Sequence, residues 1–303
     1  MARVLHTAQA LVDVVVEVPS LPPRGGNVNA TSDRRYAGGS VTILVAAART
    51  GAEALHGGAH GTGPNGDLVR SALAADGVAV TDAPREDHDT GYCVVLVEPS
   101  AERSFVTAYG AERDVTAQSL AALDPQPGDL LCISGYSLFE PTRDPLLEFL
   151  DTVPEGVEVV LDPAEPFATF PREIQDRVLA RTTVWTSNAA EARALTGLDS
   201  AEDTPAAIRR RIGSHAVVVV RDGPRGCLVF HHGRGTHIPA FPQTAIDTNG
   251  AGDTHTGVLL AERALGADWE SAATRANAAA AIAVTRRGPE SAPTRAEVDA
   301  FLA

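Results

Sequence analysis

Asp247-Thr248-Asn249-Gly250-Ala251-Gly252-Asp253 is the stretch of this 303-residue chain whose residue types could do chemistry together. Two glycines and an alanine stand just before a helix-like segment. Backbone N–H groups can therefore converge with no side chains in the way, and the start of a helix adds partial positive charge. The result is a hole for a phosphoryl-sized anion. Asp253 falls in the first helical turn beside that hole, where a carboxylate can take a proton from a hydroxyl attacking phosphorus. The same residues also fit a plain Gly-rich turn with Asp253 as an ordinary helix cap; the wider sequence has to separate the two readings.

What else could hold a phosphate is narrowed by composition. All 25 basic residues are Arg, and no Lys occurs. A P-loop, the strand lysine of protein kinases and a Schiff base to pyridoxal phosphate are thereby excluded. An anionic ligand must be held by Arg, backbone amides or metal ions. The net charge of −14 disfavours binding to nucleic acid. Arg209-Arg210-Arg211, the densest basic run, reads as a solvated helix face. Cys93, Cys132 and Cys227 are far apart and form no CxxC, so buried free thiols in a reducing compartment are expected. The N-terminus lacks a long apolar stretch before Asp13, and no apolar run approaches the ~20 residues of a membrane span. The expectation is a cytoplasmic protein with no membrane partner.

The elements that must position the motif read as an α/β pattern. Short continuous apolar runs at Leu130 to Ile133, Val157 to Leu161, Thr183 to Trp185 and Ala216 to Val220 suit buried parallel strands. Val14 to Val16 and their flanks also read as a strand. Helices are expected over Ser40 to Arg49, Leu68 to Ala75, Glu191 to Leu195, Ala206 to Ile212, Ala251 to Ala264 and Trp269 to Val284. Two segments, 11–36 and 90–109, have strand composition with no helix inside either. Within the second, Gly91 to Val97 and Arg103 to Tyr109 flank a turn at Glu98 to Glu102. The fold expected is one α/β domain over residues 1–303, a largely parallel sheet flanked by helices, with a small β lid.

One motif competes. Gly61-Thr62-Gly63-Pro64-Asn65-Gly66 satisfies GxGxxG, with Asp82 ~20 residues on, as in a dinucleotide fingerprint. It does not lie in the first βα unit, and a lone GxGxxG is a weak signal. The histidines show no metal-ligand spacing, and His231, His232 and His237 sit in a Gly-rich hairpin expected at the surface.

Several motifs resemble the ribokinase/PfkB family of carbohydrate and nucleoside kinases, nearly end to end. Asp247 to Asp253 resembles the family's C-terminal signature. Tyr36-Ala37-Gly38-Gly39 before an Ala-rich helix resembles the N-terminal one. Ser187-Asn188-Ala189-Ala190-Glu191 with Leu195-Thr196-Gly197 resembles the Asn-x-x-Glu element, and Arg221 to Gly226 the nucleotide loop. Asn277 to Thr294, with Ala-Ile-Ala-Val-Thr-Arg-Arg-Gly, is similar to the C-terminal part of ribokinases.

That resemblance implies a three-layer ribokinase-like fold and an ATP-dependent carbohydrate kinase. Asp253 would be the general base, with Gly250, Ala251 and Gly252 supplying the anion hole. Asn188 and Glu191 would organise Mg²⁺ and its waters; on the residues alone they fit a capping box equally well. Arg221, Gly223, Gly226 and Asn277 would line the nucleotide site, with the Arg221 guanidinium either pairing with phosphate or facing solvent. Asp247 would mark a K⁺ site together with backbone near Asn249 and from Val284 to Ser291. Asp13, Gly38 and Gly39 would meet the sugar, under a lid through which relatives dimerise. The chain departs from ribokinases at Ser40-Val41-Thr42-Ile43, where they carry Lys-Gly-Ala-Asn, and at Ser134-Gly135-Tyr136, where they carry an acid. A nucleoside kinase, for which Ile43 and Tyr136 would supply apolar and aromatic walls, and a non-catalytic sugar-binding regulator are the alternatives.

Overall fold

Strands buried on both faces need apolar residues at every position, and helices between them force a parallel crossover. The computed structural model follows that logic. It describes residues 2–100, 102–200, 203–288 and 291–303. Ala101, in the expected turn, and Pro289 and Glu290, in the expected cation-site stretch, lie outside the described residues. In chain order the strands are β1 (Val4–His6), β2 (Ala10–Glu17), β3 (Ser32–Gly39), β4 (Ala54–His56), β5 (Ala79–Val80), β6 (Tyr92–Val97), β7 (Arg103–Ala108), β8 (Leu130–Ser134), β9 (Glu158–Asp162), β10 (Val184–Asn188), β11 (Val217–Arg221), β12 (Cys227–His231) and β13 (Arg234–Ile238).

Nine strands form the large sheet in the order β13-β12-β11-β10-β9-β8-β1-β4-β5. Strands β11 through β5 run parallel, while β12 and β13 close one edge as an antiparallel hairpin. From β1 the chain moves to β4 and β5 on one side, then returns to β8 and proceeds the other way. The β1/β8 boundary is thus a topological switch point, where α/β sheets open a crevice at their carboxyl ends. Adjacent residues of each buried strand serve opposite layers. Val4, Leu130 and Val219 pack with the helices Ser40–Thr50, Ala251–Ala264 and Trp269–Ala283, whereas Leu5, Leu131, Trp185 and Val218 face the layer containing Arg143–Thr152 and Arg172–Leu179. Full burial of each such aliphatic side chain contributes about 1.5–3 kcal/mol.

The helix Ala251–Ala264 is drawn tightly onto Ser40–Thr50. A Cβ at Gly257 would stand 2.2 Å from the Ile43 carbonyl oxygen, so only glycine permits this approach. Ile43 is therefore a core residue, 5% exposed, and offers little wall to a ligand.

The second sheet has the order β3-β2-β6-β7. Val14 to Val16 belong to β2 of this sheet, antiparallel to β3 and parallel to β6. The strand that opens the large sheet is the three-residue β1. Arg209-Arg210-Arg211 departs from the solvated-face reading: only Arg210 is exposed. Arg211 pairs with Asp176 at 2.8 Å, and Arg209 lies over the Phe230 ring. All three cysteines are buried and free. Among the described residues no helix is long and apolar enough to cross a membrane.

Candidate active site

The helix Ala251–Ala264 starts at Gly250, whose φ of 72° is left-handed and suits glycine. Gly250, and not Asp253, is the N-cap, so the ordinary-cap reading of Asp253 is set aside. Thr254 N donates to the Gly250 carbonyl at 2.8 Å. Ala251 N reaches the Thr248 carbonyl at 3.4 Å, the amides of Gly252 and Asp253 open the helix with no backbone acceptor among the described residues, and Gly252 is exposed. Asp253 is half-buried, and no described residue hydrogen-bonds its carboxylate. Burial first, then Asp162, raises its pKa to about 7; Arg221 opposes, and Asp13 and Glu191 add to the rise.

Four neighbouring parallel strands end on residues of this cleft: Ser134 on β8, Asp162 on β9, Asn188 on β10 and Arg221 on β11. The register aligns Ser134 with Asp162 and Asn188 with Arg221. Asp162 was not singled out from sequence. Its one available signal was its place at the end of an apolar run, where α/β sheets bind ligands. Its carboxyl is raised by burial, with Arg221 pulling the other way.

Asn188 and Glu191 do form the capping box. Asn188 Oδ1 accepts from Glu191 N, and Glu191 Oε2 accepts from Asn188 N, both at 2.8 Å. The helix Ala189–Thr196 follows. Glu191 is raised by burial and then by Asp162. A carboxylate raised by a neighbouring carboxylate marks a place where a divalent cation relieves repulsion. Among the described residues no three His, Cys, Asp or Glu side chains converge on a metal point. An ion here would depend on phosphate oxygens and water for its other ligands, the usual habit of Mg²⁺.

Arg221 does not face solvent. Its Nη1 donates to Thr186 Oγ1 at 2.7 Å and Thr256 Oγ1 at 2.8 Å, and its Nη2 lies 3.7 Å from Asp162 Oδ2. A Cβ on Gly252 would sit 3.8 Å from the guanidinium, which therefore lies below the first turn of the Asp253 helix. Gly223 (φ 54°) sits in the turn Gly223–Arg225, clipped by the Asp222–Arg225 ion pair at 2.6 Å. At Gly226 a Cβ would come 2.1 Å from the Ile238 carbonyl oxygen. Asn277 is buried, and its Nδ2 donates to the carbonyls of Ile238 and Pro239 at 3.1 Å. Its amide nitrogen thus holds the chain beyond β13.

Across the cleft, Asp13 stands in mid-strand on β2, opposite Tyr36 of β3 and Cys93 of β6. Burial raises its pKa to about 6. A Cβ on Gly38 would lie 2.4 Å from Asp13 Oδ2, and one on Gly39 (φ 64°) 2.4 Å from the Gln9 carbonyl oxygen. These glycines let the Asp13 carboxylate lie on bare backbone. Arg103, on the edge strand β7, donates to Asn249 Oδ1 at 3.3 Å and Thr248 Oγ1 at 3.2 Å, tying the small sheet to the anion-hole loop. Asp247 Oδ1 accepts from Asn249 N at 2.9 Å and its Oδ2 from Gly288 N at 3.0 Å, which joins that loop to the chain after the helix Trp269–Ala283. Tyr136, 51% exposed, sits in the turn Gly135–Leu138.

The competing glycine motif is occupied by the protein itself. Asp89 Oδ1 accepts from Gly63 N (3.1 Å) and Gly66 N (2.9 Å), and Oδ2 from Asn65 N (3.0 Å). The helix Pro64–Ala75 begins inside the motif, four residues before the expected start. Asp82 is spent on Arg85 at 2.7 Å. No amide there remains for a pyrophosphate.

A largely parallel sheet with a glycine-led helix start, an adjacent unpartnered carboxylate and Asp162 at a strand end defines a phosphotransferase of ribokinase-like fold. Residues 1–295 match the pfkB family carbohydrate kinase description, and the chain belongs to that family. It is 33% identical over 302 residues to the Escherichia coli (strain K12) protein named "Uncharacterized sugar kinase YegV", covering 97% of this chain and 92% of that one. Ribokinase of Haemophilus influenzae is 30% identical over 298 residues, with coverage of 96% and 95%. The structure of Arabidopsis thaliana ribokinase complexed with ribose and ATP superposes with a TM-score of 0.82 at 23% identity, covering 100% and 99% of the two chains. The protein is an ATP-dependent carbohydrate kinase.

Proposed function

We propose that the chain transfers the γ-phosphoryl group of Mg-ATP to a primary hydroxyl of a small carbohydrate, directly and without a phosphoenzyme. The observation that carries this reading is Asp253. It is an unpartnered carboxylate in the first turn of a helix whose Gly252 and Asp253 amides have no backbone acceptor among the described residues, and the charge of a second carboxylate, Asp13, reaches it. With its pKa at about 7, Asp253 can take a proton and still be ionised at neutral pH, the poise a general base needs.

The acceptor hydroxyl lies between Asp13 and Asp253, with the backbone of Gly38 and Gly39 under the sugar. Asp253 takes the hydroxyl proton as the oxygen attacks phosphorus in line. The amides of Gly250, Ala251 and Gly252 receive the charge that grows on the equatorial oxygens. Mg²⁺, when bound, neutralises phosphate charge, and Asn188 and Glu191 would hold its waters. Gly223, Gly226 and the chain pinned by Asn277 form the nucleotide wall, and the loop joined by Asp247 is the candidate K⁺ site. The small sheet, latched by Arg103, acts as a lid that keeps water from the transfer.

The test is a panel of sugars and nucleosides with ADP release as readout, run on the wild type and on Asp253→Asn. Sugar-dependent turnover is expected. The variant should lose at least ~10²-fold in kcat, the scale of general-base catalysis, while still binding ATP. Near-normal turnover in the variant refutes the assignment. Turnover on nucleosides alone moves the substrate to that class.

A further inference from the structure

Burial raises the pKa of three carboxyls of the cleft, Asp253, Asp162 and Glu191, Asp162 adds to the rise at the other two, and among the described residues Arg221 is the cation that acts against all three. With no lysine in the chain, the site has few other means to balance them. Arg221 is also held in place. Its Nη1 satisfies the hydroxyls of Thr186 and Thr256, both 0% exposed, from β10 and from the Asp253 helix. Its Nη2 faces Asp162 on β9, and its side chain is only 14% exposed. Swinging this guanidinium toward the nucleotide would leave two buried hydroxyls without the donor that satisfies them.

We propose that Arg221 is a positioning residue, a fixed internal counter-cation below the anion hole that keeps Asp253 ionised beside Asp162 and Glu191. On this assignment it acts through the base and not as a ligand of the nucleotide phosphates. The inference rests on the reading of Asp253 as the base. The groups facing Asp253 are Asp162 from β9, Arg221 from β11, Asp13 from β2 and Glu191 from the helix Ala189–Thr196. Cys132 from β8 feels Asp253 but is held neutral by burial. His255, on the same helix, is neutral, pushed down to about 3 by burial and then by Arg221. Arg221 is thus the one of these groups that favours the ionised form.

The test is titration of Asp253 in the full chain labelled with ¹³Cγ-aspartate, its resonance assigned by its loss in Asp253→Asn. In Arg221→Met the Asp253 midpoint should rise by about one pH unit, the smaller end of what a neighbouring opposite charge does to a carboxylate. In Asp162→Asn it should fall. In Arg221→Lys it should lie between the wild type and Arg221→Met. The acid limb of kcat/KM should move in the same directions. Should Arg221→Met not fold, Arg221→Lys and Asp162→Asn carry the test. An unmoved midpoint with a raised KM for ATP overturns the inference and makes Arg221 a nucleotide ligand. An unmoved midpoint with only a lowered Tm overturns it in favour of a structural brace. If the midpoint moves as described but no acceptor on the panel is phosphorylated, the counter-cation stands and the kinase assignment fails.

Discussion

Replacing the Asp253 carboxylate, the proposed general base, should stabilise the protein, and only at high pH. Asp253 titrates near 3.8 when free and at about 7 in the fold, raised first by burial and then by Asp162. Between those values the folded state binds more protons than the unfolded one. This group's contribution therefore falls as pH rises from about 4 to about 7, and is constant above. Three pH units at about 1.36 kcal/mol each set a ceiling of about 4 kcal/mol on the cost of holding Asp253 ionised. The cleft admits water to its half-buried carboxylate, which reduces the realised cost to about 2 kcal/mol. Asp253→Asn removes that slope while keeping shape. Urea unfolding of the two proteins, free of nucleotide and metal, should coincide at pH 4 and diverge progressively to pH 8. There the variant should be more stable by about 2 kcal/mol, or ~4–8 °C in Tm. A variant equally or less stable at pH 8, or a gain independent of pH, refutes the reasoning, because either result means that the fold does not oppose ionisation of Asp253.

In the wild type, kcat/KM should rise with pH and level off above about 7, since the base must be ionised and Asp253 sits at about 7 with Asp13 at about 6; a pH–rate profile checks it. Asp13→Asn should raise the KM for the carbohydrate while leaving that for ATP unchanged, measured by varying each substrate in turn. Gly257→Ala forces a Cβ to 2.2 Å from the Ile43 carbonyl oxygen on the helix that carries Asp253. It should cost about 1–3 kcal/mol of stability and lower kcat, read by urea unfolding and steady-state rates. Asp89→Ala should cost about 1–3 kcal/mol by leaving the amides of Gly63, Asn65 and Gly66 without their acceptor. It should create no dinucleotide binding, as an NAD titration would report.

Much of the frame was legible because it is local. Ala251–Ala264 appears with the expected bounds, and Ser40–Thr50 starts where the glycine pair ends. A left-handed glycine before a run of helix formers needs nothing from elsewhere in the chain. The strands β1, β4 and β5 were not legible, since two or three residues carry no period. The early start of Pro64–Ala75 was hidden because Asp89, more than twenty residues later in sequence, supplies the acceptors for its first amides. Arg209 and Arg211 read as solvated because helix-face arguments cannot see Phe230 and Asp176 arriving from other elements.

The sequence by itself determined the glycine-led start of the helix Ala251–Ala264 and the place of Asp253 in its first turn. Gly250 opens the helix through its own left-handed backbone, and the helix formers after it carry Asp253 into the first turn. Only the tertiary structure decided the charge on that carboxylate. The pKa of Asp253 depends on Asp162, Arg221, Asp13 and Glu191, which come from four other elements. Electrostatic interaction acts through space, so the order of parallel strands, and not the spacing of residues along the chain, brings these groups within reach. For the same reason Arg221, which from sequence could have paired with a phosphate or faced solvent, lies under the helix bonded to Thr186 and Thr256.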